Sequence, residues 1–260
     1  MGQHFLKNPF ILRKIINHIS PQKEDFIIEI GAGKGILTFP LAENAGKVIA
    51  IEKDKALIPS LRKKSIHNLK ILEGDVLKIN FTELIKKELD FKGKVKLVGN
   101  LPYSISSPVL FKAFQEKEFI SECVFLLQKE VAERICAEPG SKKYAPLSIL
   151  FQNYFSTKLL LVAGPESFKP PPKVKSALVS LKKREKPIFS IKREEDFHGF
   201  LKGAFRYRRK TLFNNLTMSG YPTSLIEEAF RKFNISKTIR AEELSLSRFV
   251  ELFEFFDRLE

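Results

Sequence analysis

Short apolar runs alternate with amphipathic stretches through the first two thirds of the chain, a pattern that predicts a parallel β-sheet covered by helices. The clearest strands are 25–30 (DFIIEI), 47–52 (KVIAIE), 69–75 (LKILEGD), 94–100 (KVKLVGN) and 123–128 (CVFLLQ). Between them, 35–45 (GILTFPLAENA) and 55–66 (KALIPSLRKKSI) read as crossover helices. The first should be broken or kinked near Pro40, because proline lacks the N–H that a helix interior uses. A proline-fixed loop (KPPPKV) leads to a final strand from Ala177 to Leu181, and the charged KKREKP that follows marks a domain boundary.

From Ile188 onward the period changes from that of strands to that of helices. Phe197, Leu201, Ala204 and Phe205 share one face, and Leu225, Ile226, Ala229, Phe230 and Phe233 share another. Leu246, Phe249, Val250, Phe253 and Phe256 line the last helix. These phenylalanines read as core rather than as a binding stripe, since a small helical domain must bury large side chains to hold together. The organisation expected is therefore α/β over residues 1–185 and all-helical over 186–260, and 260 residues suffice for one good core and a smaller second one.

Charge narrows the partners. Lys and Arg outnumber Asp and Glu by 45 to 30, a net +15, which points to a polyanion such as nucleic acid or an anionic membrane surface. No apolar run approaches the ~20 residues of a membrane helix, so the membrane option shrinks to surface binding. The first residues lack the basic start and apolar core of a signal peptide, and Leu6 stands where a myristoylation motif wants Ser or Thr, so a cytoplasmic protein is expected. Cys123 and Cys136 sit in apolar contexts without a CxxC or a nearby His and read as buried thiols of a reducing compartment. His18, His67 and His198 have no metal-ligand spacing, and no metal is expected.

The chemistry concentrates at strand ends. IIEIGAGKGILT places Gly31, Gly33 and Gly35 after a strand and at the opening of a helix, where backbone can approach a ligand without a Cβ in the way. The spacing is neither the GxGxxG of a dinucleotide site nor a phosphate loop, since Lys34 is followed by Gly35. Glu52 ends the second strand, where an acid accepts hydrogen bonds from ribose hydroxyls, and Asp75, ending the third, could take the exocyclic amine of an adenine. Such ends face the ligand crevice of an open α/β sheet, so Gly31, Glu52, Asp75 and Asn100 should converge on one cleft. The alternative is an ordinary glycine turn with solvated acids beside it.

VGNLPYSISSP (98–108) looks like a working site, yet none of its side chain types titrates near neutral pH. A ligand with adenine and ribose but no pyrophosphate suggests S-adenosylmethionine, whose methyl group is already activated, so no protein nucleophile is required. If the acceptor is an adenine amine, the Asn100 side-chain oxygen and the Leu101 carbonyl can each accept one of its N–H groups. They would turn the lone pair toward the methyl and stabilise the positive charge that develops. Pro102 holds the chain extended, and Tyr103 offers a face for stacking. The base must first be unstacked, which costs least in a loop or single strand. Phe168 is a candidate second stacking ring; its alternative role is a hydrophobic anchor for the proline-rich loop.

Seven stretches then resemble one family in order: GQHFL (2–6), EIGAGKGILT (29–38), GD (74–75), NLPYSISSP (100–108), ESFKPPPKVKSA (166–177), RRKTLFNNL (208–216) and IRAEELS (239–245). Together they closely resemble the KsgA/RsmA family of ribosomal RNA adenine dimethyltransferases, and the match spans almost the whole chain. The resemblance implies a Rossmann-like class I methyltransferase domain, with helices on both faces of the sheet, and a small helical C-terminal domain. It implies transfer of methyl groups from S-adenosylmethionine to N6 of two adjacent adenosines in a hairpin loop near the 3′ end of small-subunit RNA. It also implies that His4, Leu6, Gly31, Gly33, Gly35, Glu52, Asp75 and Asn100 line the cofactor site. Arg208, Arg209 and Lys210 suit phosphate contacts that position RNA, or are simply a solvated surface. The chain departs from the family at Phe213, where relatives often carry a basic residue. A large-subunit (Erm-type) adenine methyltransferase and an inactive ribosome-assembly factor are the rival readings, against which stand RRKTL, RAEELS and the intact Gly31, Glu52, Asp75 and Asn100 set. No feature demands a dimer interface, so a monomer is expected.

Overall fold

A computed structural model describes residues 4–88 and 94–257. Gly2 and Gln3 of the first motif lie outside them. The chain divides into two compact units, one built from residues up to 132 together with 156–183, the other from 133–155 and 184–260. One crossing point falls close to the boundary expected at 185/186; residues 133–155 group with the C-terminal helices instead of the sheet.

The first unit is an α/β layer structure. Its elements are β1 (Phe5–Leu6), α1 (Pro9–Ile19), β2 (Phe26–Ile30), α2 (Thr38–Asn44), β3 (Lys47–Glu52), α3 (Ile58–Arg62), β4 (Leu69–Glu73), α4 (Phe81–Glu88), β5 (Val95–Asn100), α5 (Ser106–Gln115) and β6 (Ile120–Gln128). After α6 (Lys129–Ile135) and α7 (Pro146–Tyr154), the chain returns to it with β7 (Phe155–Ala163), β8 (Phe168–Lys169) and β9 (Ser176–Lys183). Seven strands form one sheet in the order β4-β3-β2-β5-β6-β9-β7. β2 to β6 pair in parallel and β9 runs antiparallel to β6. Every residue of β2 is buried, as a central strand covered on both faces requires.

This order places the site. From β2 the chain winds outward through β3 and β4, then returns to the other side of β2 with β5. The carboxyl ends of β2 and β5 are therefore the switch point of the sheet, where a crevice opens between diverging connections. Three strands escaped the sequence pattern. β1 and β8 are two residues each and pair antiparallel across the chain, Phe5 with Lys169 and Leu6 with Phe168. β7 carries mostly exposed or half-buried residues at the sheet edge, which blurs its alternation.

Pro40 does not break a helix. α2 starts at Thr38, so the proline falls in the first turn, where its missing N–H would have had no partner anyway. Cys123 is fully buried, and burial pushes its thiol up so that it stays protonated; Cys136 is only half-buried, because it lies just past the end of α6.

In the second unit, α8 (Glu194–Ala204), α9 (Leu212–Met218), α10 (Thr223–Lys232) and α11 (Leu246–Asp257) join α7. Phe200 of α8 meets Phe249, Phe253 and Phe256 of α11 at ring-centroid distances of 6.3, 5.8 and 6.0 Å. Phe197 meets Phe253 edge-on at 5.2 Å. No helix of the described residues is long and apolar enough to cross a membrane.

Candidate active site

Gly31, Gly33, Glu52, Asp75, Asn100, Leu101 and Tyr103 line one cavity of about 270 Å³, with His4 and Phe5 contributed by the N-terminal segment. The glycine loop after β2 turns three times through positive φ, at Gly31 (75°), Gly33 (57°) and Gly35 (81°), a region that costs other residues energy. At Gly35 a Cβ would lie 2.3 Å from the Phe39 ring, so this glycine serves packing within the loop and does not line the cavity. Gly33 faces the Phe5 ring, which a Cβ would approach to 3.2 Å.

Glu52, at the end of β3, is 4% exposed, and both of its carboxyl oxygens are engaged by backbone. Oε2 accepts from the Gly33 N–H and Oε1 from the Asp54 N–H, each at 2.8 Å. One acid thus ties the glycine loop to the end of β3. Asp75 caps the short turn after β4: its Oδ1 accepts from the Leu77 N–H at 3.0 Å and its Oδ2 pairs with Lys53 at 2.8 Å. The Lys53 hydrogen bond, then the Leu77 N–H, hold its carboxyl below the usual carboxylate range, so it is ionised at neutral pH. Each bound oxygen keeps a lone pair, so both acids can accept further hydrogen bonds.

Next to the loop, at the penultimate position of β2, Glu29 is buried. Its Oε2 has no hydrogen-bond partner among the described residues. Burial pushes its carboxyl up to about 7, the Thr38 hydroxyl opposes that rise, and the nearby Glu52 adds to it.

At the end of β5, the Asn100 Nδ2 donates to the His4 carbonyl at 2.8 Å. One of the two amide N–H groups is thereby engaged, which fixes the orientation of the side chain and leaves Oδ1 as its acceptor atom. Leu101 is anchored by its N–H to the Leu126 carbonyl at 2.9 Å. Tyr103 is half-buried; the His4 ring lies beside it, centroids 5.5 Å apart and planes tilted by 37°, and its hydroxyl is 2.8 Å from the Ser176 hydroxyl. The His4 Nδ1 meets the Pro170 carbonyl at 2.8 Å.

Besides Gly35, two further expected site residues are not at the cavity. Leu6 is buried in the hydrophobic core with Ile11, Ile15 and Phe168, supporting the N-terminal segment from behind. Phe168 is 1% exposed in the same cluster, so its ring offers no face to a base, and the anchor role describes it. The reason is local: β8 pairs with β1, which places Phe168 opposite Leu6.

In the second unit, Arg206 to Lys210 form an exposed turn between α8 and α9. The buried Asn215 staples it, accepting from the Tyr207 N–H at 3.0 Å and donating to the Tyr207 carbonyl at 3.2 Å. Arg208 reaches the Lys142 carbonyl. Phe213 packs edge-on against Phe230 at 5.7 Å, and the Lys237 ammonium stands 5.2 Å from its ring. Phe5 and Asn215 stand inside the motifs and Lys53 outside them, and the sequence assigns none of them a role; Phe5 and Lys53 act on Gly33 and Asp75, distant in the chain, and Asn215 on Tyr207 nearby. Among the described residues no group of three or more His, Cys, Asp and Glu side chains is placed to hold a metal ion.

A family model described as ribosomal RNA adenine dimethylase matches residues 1–258. The chain is 39% identical over 254 residues to a ribosomal RNA small subunit methyltransferase A of Clostridium botulinum, covering 97% of this chain and 91% of that protein. It is 40% identical over 253 residues to the protein of that name from Xylella fastidiosa, covering 96% and 92%. The crystal structure of a dimethyladenosine transferase from Plasmodium falciparum superposes with a TM-score of 0.83 at 28% identity over 98% of both chains. That of the 23S rRNA methyltransferase ErmE does so at 0.75, with 23% identity over 97% of this chain and 99% of that one, a likeness of fold alone. This chain belongs to the ribosomal RNA adenine dimethylase family.

Proposed function

We propose that this protein transfers methyl groups from S-adenosylmethionine to N6 of two adjacent adenosines in the 3′-terminal hairpin loop of small-subunit ribosomal RNA, dimethylating each. It would act as a cytoplasmic monomer during assembly of the subunit. The observation that carries the reading is the Asn100 amide, which is oriented by one N–H donated to the His4 carbonyl so that its oxygen is left to accept. An adenine amine needs such an acceptor; a hydroxyl substrate would need a base there.

The cleft fits an adenosine-like cofactor. It has an open glycine cradle at Gly31, apolar walls in Ile30, Ile51 and Val76, and two carboxyl groups held by neighbouring donors. Glu52 would accept the ribose hydroxyls and Asp75 the exocyclic amine of the cofactor's adenine. S-adenosylmethionine, when bound, supplies an activated methyl group whose bond to sulfur breaks with the electron pair kept by sulfur. Asn100 Oδ1 and the Leu101 carbonyl take the two N–H groups of the target amine, drawing its lone pair out of conjugation with the ring. They stabilise the positive charge that grows on N6, and one amine proton then leaves to solvent. Tyr103 supplies the stacking face for the unstacked base. Arg208, Arg209 and Lys210 would hold RNA phosphates.

The name of the Clostridium relative and the match of the family over nearly the whole chain support a small-subunit target over a large-subunit one. The test is transfer of labelled methyl into immature small subunits, followed by mapping of the modified nucleotides. Label on two adjacent N6 positions near the 3′ end is expected; label in large-subunit RNA instead would overturn the reading.

A further inference from the structure

Ser176 is the next-to-last residue of the ESFKPPPKVKSA motif, and the reaction just described does not use it. It opens β9, is 1% exposed, lies opposite Gln128 of β6, and does not line the cavity. The adjoining Lys175 carbonyl accepts the Lys129 N–H at 3.0 Å, so the backbone that carries Ser176 is fixed to the sheet. From this fixed point its hydroxyl meets the Tyr103 hydroxyl at 2.8 Å, one oxygen donating and the other accepting. Tyr103 itself opens a single 3-10 turn (Tyr103–Ile105) directly after Pro102. Held only at that turn, the ring could still swing about its two side-chain torsions, the outer of which is broad. The bond to Ser176 fixes the far end of the ring, while His4 flanks it at 5.5 Å.

We infer that Ser176 is a positioning residue: by holding the Tyr103 hydroxyl from the sheet, it fixes the plane of the ring against which the target base stacks. The inference rests on the stacking role proposed for Tyr103. A base stacked on a wandering ring presents its amine at varying distance and angle to the methyl group. Misplacement of about 1 Å can cost a reaction roughly a hundredfold in rate. The hydroxyl pair therefore acts on turnover of bound substrate rather than on cofactor affinity, since neither hydroxyl is among the groups that would hold the cofactor.

The experiment is a double-mutant cycle on the full chain, with Ser176→Ala, Tyr103→Phe and both together. Labelled-methyl transfer into immature small subunits is measured at saturating S-adenosylmethionine, alongside the dissociation constant of the cofactor. Each single change should lower kcat about fivefold to tenfold, the loss of one hydrogen bond, with the cofactor constant unchanged. The double variant should be no slower than the slower single one. A double loss equal to the product of the single losses would overturn the inference, as would wild-type turnover in Tyr103→Phe, which decides alone if Ser176→Ala does not fold. Tyr103→Ala separates the two levels. If it is crippled while the cycle is additive, only the role of Ser176 fails; if it turns over normally, the stacking role fails with it.

Discussion

In the cleft of the first unit, Glu52 and Asp75 each have both carboxyl oxygens engaged, by backbone N–H groups and by Lys53. In the second unit, Arg206 to Lys210 stand exposed on a turn held through its backbone by Asn215. One region fixes its polar groups at defined positions; the other fixes a loop and, apart from Arg208 on the Lys142 carbonyl, leaves its cationic side chains exposed to solvent. The contrast matches the two tasks proposed for them. Orienting an amine against a methyl group tolerates little displacement, whereas phosphate attraction is long-ranged and sequence-independent.

The comparison can be sharpened first at Glu29, the buried acid next to the glycine loop. Its carboxyl is raised from 4.5 to about 7 in the folded chain, so the folded state holds a proton that the unfolded state releases earlier. Stability must then fall as pH rises from the unfolded value through about 7. The full loss is on the order of 3 kcal/mol above that range. Glu29→Gln removes the ionisation, so its thermal midpoint relative to the parent should be similar at pH 5 and clearly higher at pH 8.5. An equal difference at both pH values would show that this acid is not kept neutral by the fold.

A smaller effect is expected in the second unit. Arg208 and Arg209 changed together to Ala should weaken RNA binding, with the slope of log affinity against log salt flattened by about 1.4 for two phosphate contacts to single-stranded RNA. Turnover at saturating RNA should stay near that of the parent. An unchanged salt slope would mean that these side chains are only a solvated surface, and a collapse of turnover would erase the division of labour between the two regions.

How far the sequence alone reached depended on the range of the interactions involved. The parallel strands were legible because β2, β3 and β5 are nearly continuous buried apolar runs, and the strand-end residues Gly31, Glu52, Asp75 and Asn100 followed from the geometry of such a sheet. The β1–β8 pair was not, since two residues carry no period and Leu6 finds Phe168 only through the folded chain. The same pairing explains why Phe168 reads as a stacking ring in the motif and as core in the fold. β7 was hidden by its place at the sheet edge, where FSTKLLLVA mixes exposed and buried positions. Asn100 was recognisable from its motif, but the acceptor that orients it, the His4 carbonyl, lies 96 residues away and is backbone. Ser176 stood in plain view within a quoted motif; only its distance to Tyr103 gives it a task.

The proposed mechanism turns on Asn100 as an acceptor that orients an amine without a base. It is tested most directly by Asn100→Ala, with labelled-methyl transfer into immature small subunits and cofactor binding measured on the same preparation. Transfer should fall at least about a hundredfold while the cofactor still binds detectably. Transfer at the parental rate would contradict the mechanism outright.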